Sequence, residues 1–142
     1  FLLAVDDQDW DGYAALFTDD ARFDVSGAFT DGDGGEAIAG LDGAEAVRGG
    51  RAMADFVSGV MAGIATVHIG YMPLIEVQSP TQATGIWSVE DWLWLGGASA
   101  APLHGFGRYD ERYTHIAAGW RIAGLRYRRM RMMAPGAGEP QP

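Results

Sequence analysis

The chain has 142 residues, 48% of them hydrophobic, and a formal net charge of −9 at pH 7. This length and composition indicate one globular domain with its own core rather than a disordered chain. No apolar run approaches the ~20 residues of a membrane span. The negative charge argues against nucleic acid or an anionic membrane as a partner. We expect a cytoplasmic protein whose sequence continues before Phe1, because the chain starts without Met inside a predicted helix.

Two residue types that often carry chemistry are missing. There is no Cys, which excludes disulfides, thiolate nucleophiles and Cys-based metal sites. There is no Lys either, which excludes Schiff-base chemistry and a P-loop. Arg supplies all ten basic residues, and five of them lie between Arg121 and Arg131. We expect these to be solvated or paired with the acidic N-terminal half of the chain.

The first elements in chain order are helical. Residues 1–18 predict a helix that breaks at Asp9, which would cap a second helix beginning at Trp10. The pair Asp19-Asp20 predicts a turn, and the alternation from Ala21 to Phe29 predicts a strand.

A Gly-rich stretch over residues 26–50 follows and predicts a mobile loop. Its Asp31-Gly32-Asp33-Gly34 segment lacks the further ligands of a calcium loop, so we interpret it as a turn.

A helix is expected from about Ala44 to Met61, and four strands after it. Those strands are predicted at Thr66–Gln78, Ala83–Leu95, His104–Ile116 and Trp120 to about Met132. The Pro- and Gly-rich tail 134–142 is expected to be disordered. Helices followed by a long antiparallel meander indicate an α+β fold, with one domain over residues 1–133.

Three ionisable residues stand where apolar residues are expected. Asp6 is the charged member of a helical stripe that also contains Trp10 and Tyr13, and Asp91 is the charged member of an alternating strand face. His68 lies in a mostly apolar strand. Since a buried carboxylate is costly unless it is paired or neutral, the three residues are candidates for moving protons in an apolar pocket.

Several short motifs along the chain resemble the SnoaL-like branch of the NTF2-like superfamily, over residues 1 to about 132. The matching motifs are Asp9-Trp10-Asp11, Leu16-Phe17-Thr18-Asp19-Asp20-Ala21, Thr66-Val67-His68, Gly85-Ile86-Trp87, His104-Gly105-Phe106-Gly107-Arg108-Tyr109 and Gly119-Trp120-Arg121-Ile122. The resemblance implies a cone-shaped α+β fold, in which N-terminal helices pack inside a strongly curved antiparallel sheet. It does not choose an activity, because this fold carries many.

The site residues are most similar to those of bile acid 7α-dehydratases, scytalone dehydratases and hexachlorocyclohexane dehydrochlorinases. The helix Asp and strand His of that group fall on Asp6 and His68, and the second Asp of the bile acid enzymes falls on Asp91. The Tyr that the bile acid enzymes carry five residues before the helix Asp is replaced by Phe1. Tyr71, Tyr109 or Tyr113 could supply a phenol from another direction.

The resemblance implies a cofactor-independent lyase of the dehydratase type. The three His are spaced 36 and 11 residues apart, which does not match a metal spacing, so we expect no metal. His68 would be the base, and Asp6 would fix its tautomer and stabilise the imidazolium. Asp91, held neutral by its apolar face, would donate a hydrogen bond, as the protonated Asp of ketosteroid isomerase does.

The many aromatic residues indicate a flat, largely apolar ligand, such as a polyketide, steroid, terpenoid or chlorinated ring. The candidate substrate-binding residues are Trp10, Tyr13, Tyr71, Trp87, Phe106, Tyr109 and Arg126.

Two other functions stay open. One is an isomerase or polyketide cyclase in which Asp91 or Asp6 is the base, and the other is a non-catalytic module that binds a small ligand. We interpret His104 as structural and His115 as exposed. The open sheet face of this fold needs covering, so we expect a homo-oligomer, either a dimer or a trimer.

Overall fold

A computed structural model of the protein describes residues 1–27, 47–97 and 99–134. The described residues form three helices and six strands. The helices are α1 (Leu2–Asp6), α2 (Trp10–Ala15) and α3 (Gly50–Val60). The strands are β1 (Phe17–Gly27), β2 (Val47–Arg48), β3 (Ala65–Ser79), β4 (Gln82–Trp94), β5 (Leu103–Ile116) and β6 (Gly119–Met133).

The strands form one curved, unclosed sheet in the order β2-β1-β6-β5-β4-β3. The long strands β3 to β6 pair with their chain neighbours in antiparallel register, as the meander predicted. β1 differs from the predicted antiparallel arrangement, because it lies parallel to β6. α3 lies in the connection from β1 to β3, and β3 forms the far edge of the sheet. The α+β prediction is confirmed.

The helices fill the concave side of the sheet. α1 packs on β3, α2 packs on α3, and α3 packs on β1. The core between them joins the inward faces of β1, β4, β5 and β6 to the apolar faces of the helices. Its buried members are Val5, Tyr13, Phe17, Ala21, Phe23, Met53, Ala54, Val57, Val89, Tyr109, Ile122, Leu125 and Tyr127.

Local sequence signals explain the element ends. The Asp9 carboxylate accepts a hydrogen bond of 2.9 Å from the Gly12 N–H, which confirms the predicted helix break and cap. Because the chain turns there, the predicted helical stripe does not continue from α1 into α2. The β4 alternation is confirmed, and Asp91 rather than its neighbour Glu90 points inward.

Two predicted boundaries are wrong. Asp19-Asp20 is not a turn, because both residues belong to β1. The third helix begins at Gly50 rather than near Ala44, and the two residues of β2 precede it. Pairing with a neighbouring strand overrides local propensity in both places.

Other predictions fall outside the described residues. These are the loop over residues 28–46 with its Asp31–Gly34 segment, and the tail 135–142. Within the described ranges, no helix has the length and apolar character that spanning a bilayer requires.

Candidate active site

Asp6 and His68 are in direct contact on the concave side of the sheet. Asp6 is the last residue of α1, and His68 lies on β3. The Asp6 Oδ1 atom is 2.6 Å from His68 Nδ1, and Asp6 Oδ2 accepts a hydrogen bond of 2.8 Å from the His68 N–H. The Asp6 and His68 side chains are 18% and 7% exposed, respectively. The pair is therefore held by two contacts and largely shielded from water.

Asp6 also accepts a hydrogen bond of 2.8 Å from the Thr66 hydroxyl, two residues before His68 on the same strand face. Burial alone would raise the pKa of Asp6, but the hydrogen bonds from the His68 ring, the His68 N–H and Thr66 together lower the pKa below its ordinary value of 3.8. Asp6 is an ionised acceptor at neutral pH. His68 Nδ1 must therefore carry the proton, which leaves Nε2 as the basic nitrogen.

Asp91 lies directly opposite His68 in the β3–β4 register and is 2% exposed. Its carboxylate receives the Arg129 guanidinium, with Nη1 at 2.9 Å and 2.6 Å from the two oxygens. The Tyr127 hydroxyl donates to the same carboxylate at 3.2 Å. Arg129 is itself 7% exposed and lies over the Tyr127 ring, 4.9 Å from its centroid.

These contacts correct the prediction that Asp91 is held neutral by an apolar face. Arg stays protonated in proteins, and a buried guanidinium without an anion would be strongly destabilising. Asp91 is the anion that compensates Arg129. Asp91 therefore accepts hydrogen bonds rather than donating one. The group beside Asp91 that could donate a hydrogen bond to a ligand is the Arg129 guanidinium.

Glycines on β5 make room for this ion pair. A Cβ at Gly105, opposite Asp91 in the sheet, would collide with Arg129 Nη1 and Asp91 Oδ1. A Cβ at Gly107 would lie 2.5 Å from the Tyr127 ring. In this fold, therefore, close packing against Arg129, Asp91 and Tyr127 explains why positions 105 and 107 are both Gly.

An apolar cavity of about 80 Å³ adjoins His68, and Asp91 and Arg129 line it as well. Its other walls come from α1, α3 and the inner sheet face. A groove of about 430 Å³ also adjoins His68, and Glu111 and Tyr113 line it. His68 and Tyr109 line both spaces.

The structure brings together some of the predicted substrate-binding residues. Tyr13 and Tyr109 line the cavity, and Trp87 and Tyr109 line the groove. Burial, as the first cause, raises the pKa of Tyr13 and the pKa of Tyr109 well above the ordinary phenol value. Both phenols are therefore neutral at physiological pH.

Other predicted substrate-binding residues lie away from both spaces. Trp10 packs against the core beside Tyr13, and the Tyr71 side chain is exposed. Phe106 contacts the His104 ring on the outer sheet face. Arg126 pairs with Asp24, with 3.4 Å between Nε and Oδ2.

The remaining histidines are placed as predicted. His104 Nε2 is 2.7 Å from Glu90 Oε1, and its ring stacks on Trp92 with 4.5 Å between centroids. His115 is exposed. Across the described part of the chain, no three His, Asp or Glu side chains converge in a way that could hold a metal ion.

Sequence reasoning missed Arg129, Tyr127 and Glu111 as parts of the site. All three project inward from β5 or β6. Arg129 continues the inward alternation of Leu125 and Tyr127, but a register shift between Ile122 and Gly124 puts these residues out of phase with the inward Ile122. Glu111 had a readable signal, because it continues the inward alternation of Gly105, Gly107 and Tyr109.

Comparison with known proteins places the chain in a family. Residues 1–126 match the model of the SnoaL-like domain. No curated protein matches the chain significantly.

Several solved structures share the fold. A type 2 hexachlorocyclohexane dehydrochlorinase, LinA, is 18% identical with a TM-score of 0.74, over 99% of this chain and 85% of that one. A protein thought to be a scytalone dehydratase, from Novosphingobium aromaticivorans, is 15% identical with a TM-score of 0.72, over 99% and 87%. Rv3472 of Mycobacterium tuberculosis, of unknown function, is 24% identical with a TM-score of 0.70, over 98% and 74%.

These likenesses establish an NTF2-like fold and leave the activity to the residues of the site. With a family match over most of its length, the chain belongs to the SnoaL-like domain family.

Proposed function

We propose that this protein is a cofactor-independent lyase, of the dehydratase type, that acts on a hydrophobic cyclic small molecule. The observation that carries the proposal is the 2.6 Å contact between Asp6 and the nearly buried ring of His68. A carboxylate on one ring nitrogen orients the imidazole and stabilises the imidazolium that forms when the other nitrogen takes a proton. The adjoining apolar walls favour a substrate with little charge.

The proposed reaction is an elimination. His68 Nε2 removes a proton from an activated carbon, and the C–H electron pair forms a double bond to the neighbouring carbon. The bond from that carbon to a hydroxyl or halide breaks at the same time or after it. A departing hydroxide takes a proton from the imidazolium and leaves as water, whereas a halide leaves as the anion and the imidazolium releases its proton to solvent. Either route restores neutral His68.

Arg129 supports charge development in this scheme. Its guanidinium is fixed by Asp91 beside the cavity, and its Nε atom has no hydrogen-bond partner among the residues described. A fixed cation in a shielded site stabilises a developing enolate, hydroxide or halide more than water would. Asp91 would act through Arg129, as a positioning residue.

Two of the similar structures are described as a dehydrochlorinase and as a presumed dehydratase, and both names denote eliminations. This agrees with the proposal but does not carry it, because sequence identity to both is low.

The test compares two histidine variants. His68→Asn and His104→Asn each remove an imidazole from a His–carboxylate pair, but His104 lies outside the cavity and the groove. Each protein is incubated with a library of hydroxylated polyketides, steroids, phenolics and chlorinated cyclohexanes and followed by mass spectrometry. We expect wild type and His104→Asn to produce a compound lighter by one water or one hydrogen chloride. The initial rate of His68→Asn should be lower by roughly 10²–10⁴-fold.

Equal rates for His68→Asn and wild type would contradict the proposed role of His68. Conversion to a product of unchanged mass would indicate an isomerase or cyclase instead. Binding of a library compound without any conversion would indicate a ligand-binding module.

We also propose that the protein is a homo-oligomer, because β3 is a sheet edge with many exposed apolar side chains. Examples are Ile69, Leu74 and Val77. A second copy that covers this strand would remove those side chains from water. Sedimentation equilibrium should give a dimer or trimer, and a Leu74→Glu variant should shift it towards monomer. A monomeric wild type at high micromolar concentration would contradict this proposal.

A further inference from the structure

A second buried carboxyl lies on the concave side, on the strand next to Asp91. Glu111 is 5% exposed and lines the groove together with His68, Trp87 and Tyr113. The Tyr113 hydroxyl donates a hydrogen bond to Glu111 Oε2 and accepts one of 2.8 Å from Trp87 Nε1. These three side chains, Glu111, Tyr113 and Trp87, form what we call the polar cluster.

Only part of the Glu111 carboxyl is satisfied. Its Oε1 atom is buried and finds no hydrogen-bond partner in the part of the chain that the structure describes. Burying an acceptor without a partner is destabilising, because the lost hydrogen bonds to water are not replaced. Asp91, by contrast, receives both a guanidinium and a phenol. The two inner carboxyls therefore differ, because one is fully paired and the other keeps an acceptor unused.

The local packing is built around this cluster. Gly85 lies directly opposite Glu111 in the β4–β5 register. A Cβ at Gly85 would lie 2.8 Å from the Tyr113 hydroxyl, so a larger residue would displace the ring that holds the carboxyl. The positions of the Tyr113 ring and of the Glu111 carboxyl thus depend on Gly85 having no side chain.

The protonation state agrees with a shielded carboxyl. Burial raises the pKa of Glu111 above its ordinary value of 4.5, and the hydrogen bond from Tyr113 offsets part of that rise. Protonated or not, the carboxyl keeps lone pairs on oxygen and can accept a hydrogen bond.

We propose that the polar cluster is the polar end of the ligand site, where Glu111 accepts a hydrogen bond from a hydroxyl group on an otherwise apolar ring. The inference rests on the proposed function, because that function places the reacting carbon of the ligand next to His68. It identifies the substrate class as a hydroxylated or phenolic ring compound that fits a groove of about 430 Å³. Oε1 is covered by its neighbours, so a ligand reaches it from the groove after a small side-chain rotation.

The test uses two probes that differ in one donor. 2-Naphthol carries a hydroxyl, and 2-methoxynaphthalene has the same rings but cannot donate a hydrogen bond. Dissociation constants are measured by calorimetry for wild type and for Glu111→Leu, in which a side chain of similar size has no acceptor. We expect wild type to bind 2-naphthol about tenfold more tightly than 2-methoxynaphthalene, and the ratio to fall to about one in Glu111→Leu.

A control variant locates the effect. Glu90→Leu removes a partly buried carboxyl from the outer face and should keep the wild-type ratio. If Glu111→Leu does not fold, Glu111→Gln replaces it. Swapping one acceptor oxygen for a donor should reduce the ratio to about threefold or less.

Three results would overturn the inference: equal binding of both probes by wild type, an unchanged ratio in the Glu111 variants, or no binding of either probe at millimolar concentration. The oxygen of each probe is bound to an aromatic carbon and cannot leave by elimination, so the result is independent of turnover. A Glu111-dependent ratio without any library turnover would uphold the polar cluster and reject the lyase. Turnover that depends on His68, together with a ratio that the Glu111 variants do not change, would uphold the lyase and reject the polar cluster.

Discussion

The two faces of the sheet carry the same kinds of ion pair in different surroundings. The concave face has His68–Asp6 and Arg129–Asp91, and the outer face has His104–Glu90 and Arg128–Asp110. The distances within the two histidine pairs are nearly equal, 2.6 Å and 2.7 Å. The surroundings differ. His104 is 24% exposed and covered by aromatic rings, whereas His68 borders the cavity and the groove.

Pair geometry alone therefore does not indicate function. An acid–base pair needs one nitrogen held and the other facing a space that a ligand can enter. The ring planes of His104 and Trp92 are stacked, so the outer pair is a packing contact between neighbouring strands. The inner pair joins a helix to a strand beside an apolar space, and substitutions on the two faces should differ accordingly.

The largest effect is expected from neutralising the inner carboxylate. Asp6→Asn removes the negative charge that stabilises the imidazolium and fixes the tautomer of His68, so kcat on a turned-over library compound should fall by roughly 10²–10⁴-fold. The matched outer variant, Glu90→Gln, should leave kcat unchanged. Comparable losses in both variants would show that the faces do not differ in function.

The arginine pairs should differ in stability. Asp91→Ala leaves Arg129 buried without an anion, and we expect a loss of about 3–5 kcal/mol in the free energy of unfolding. Asp110→Ala breaks the exposed pair with Arg128 and should cost about 0–1 kcal/mol. Urea denaturation measures both. A loss below about 1 kcal/mol for Asp91→Ala would contradict the burial of a charged pair.

The close packing around Gly105 can be tested by adding one methyl group there and measuring stability. Gly105→Ala places a Cβ against Arg129 and Asp91, which should destabilise the protein by about 1–3 kcal/mol. Gly59 of α3 has nothing within 4 Å of an added Cβ. Gly59→Ala should therefore stabilise the protein by about 0.5–1 kcal/mol through helix propensity. Thermal melts of the two variants should shift in opposite directions.

The Asp6–His68 pair should also affect how the stability of the protein depends on pH in acid. The pKa of Asp6 is lower in the folded protein than its ordinary value of 3.8, so the native state binds fewer protons than the unfolded state. The stability that Asp6 contributes is full above that value and is lost as the pH falls through the folded-state pKa. The stability difference between wild type and Asp6→Asn should shrink below pH 3.8. Urea midpoints at several pH values measure it, and a constant difference would contradict it.

Glu111 should show the opposite dependence. Its pKa is raised above 4.5 in the folded protein, so the stabilisation of its protonated form is full below that pH and is lost as the pH rises through the folded-state pKa. Glu111→Gln should therefore gain stability relative to wild type as the pH rises above 4.5. The same urea series tests this, and a parallel pH profile for the two proteins would contradict it.

Much of the fold could be predicted from local pattern. The strand of Asp91 alternates with period two, and Asp9 stands where a helix cap is needed, so both features follow from short-range rules. The Asp19-Asp20 turn was wrong, because the parallel pairing of β1 with β6 extends the strand through two residues of low strand propensity. Long-range pairing has no signature in a short window.

The candidate site shows the same division. Asp6, His68 and Asp91 were found because a charge in an apolar pattern stands out in the sequence. Arg126 was chosen instead of Arg129, since a register shift in β6 alters which arginines face inward.

The amino-acid sequence by itself determined the α+β class, the helix break at Asp9, the four long strands and the inward position of three ionisable residues, because periodicity and capping act between near neighbours. Only the tertiary structure decided which charges meet. Asp91 is the counter-ion of Arg129, and one buried oxygen of Glu111 has no hydrogen-bond partner among the residues that the structure describes. Both outcomes depend on sheet register and on the space that glycines on neighbouring strands leave open.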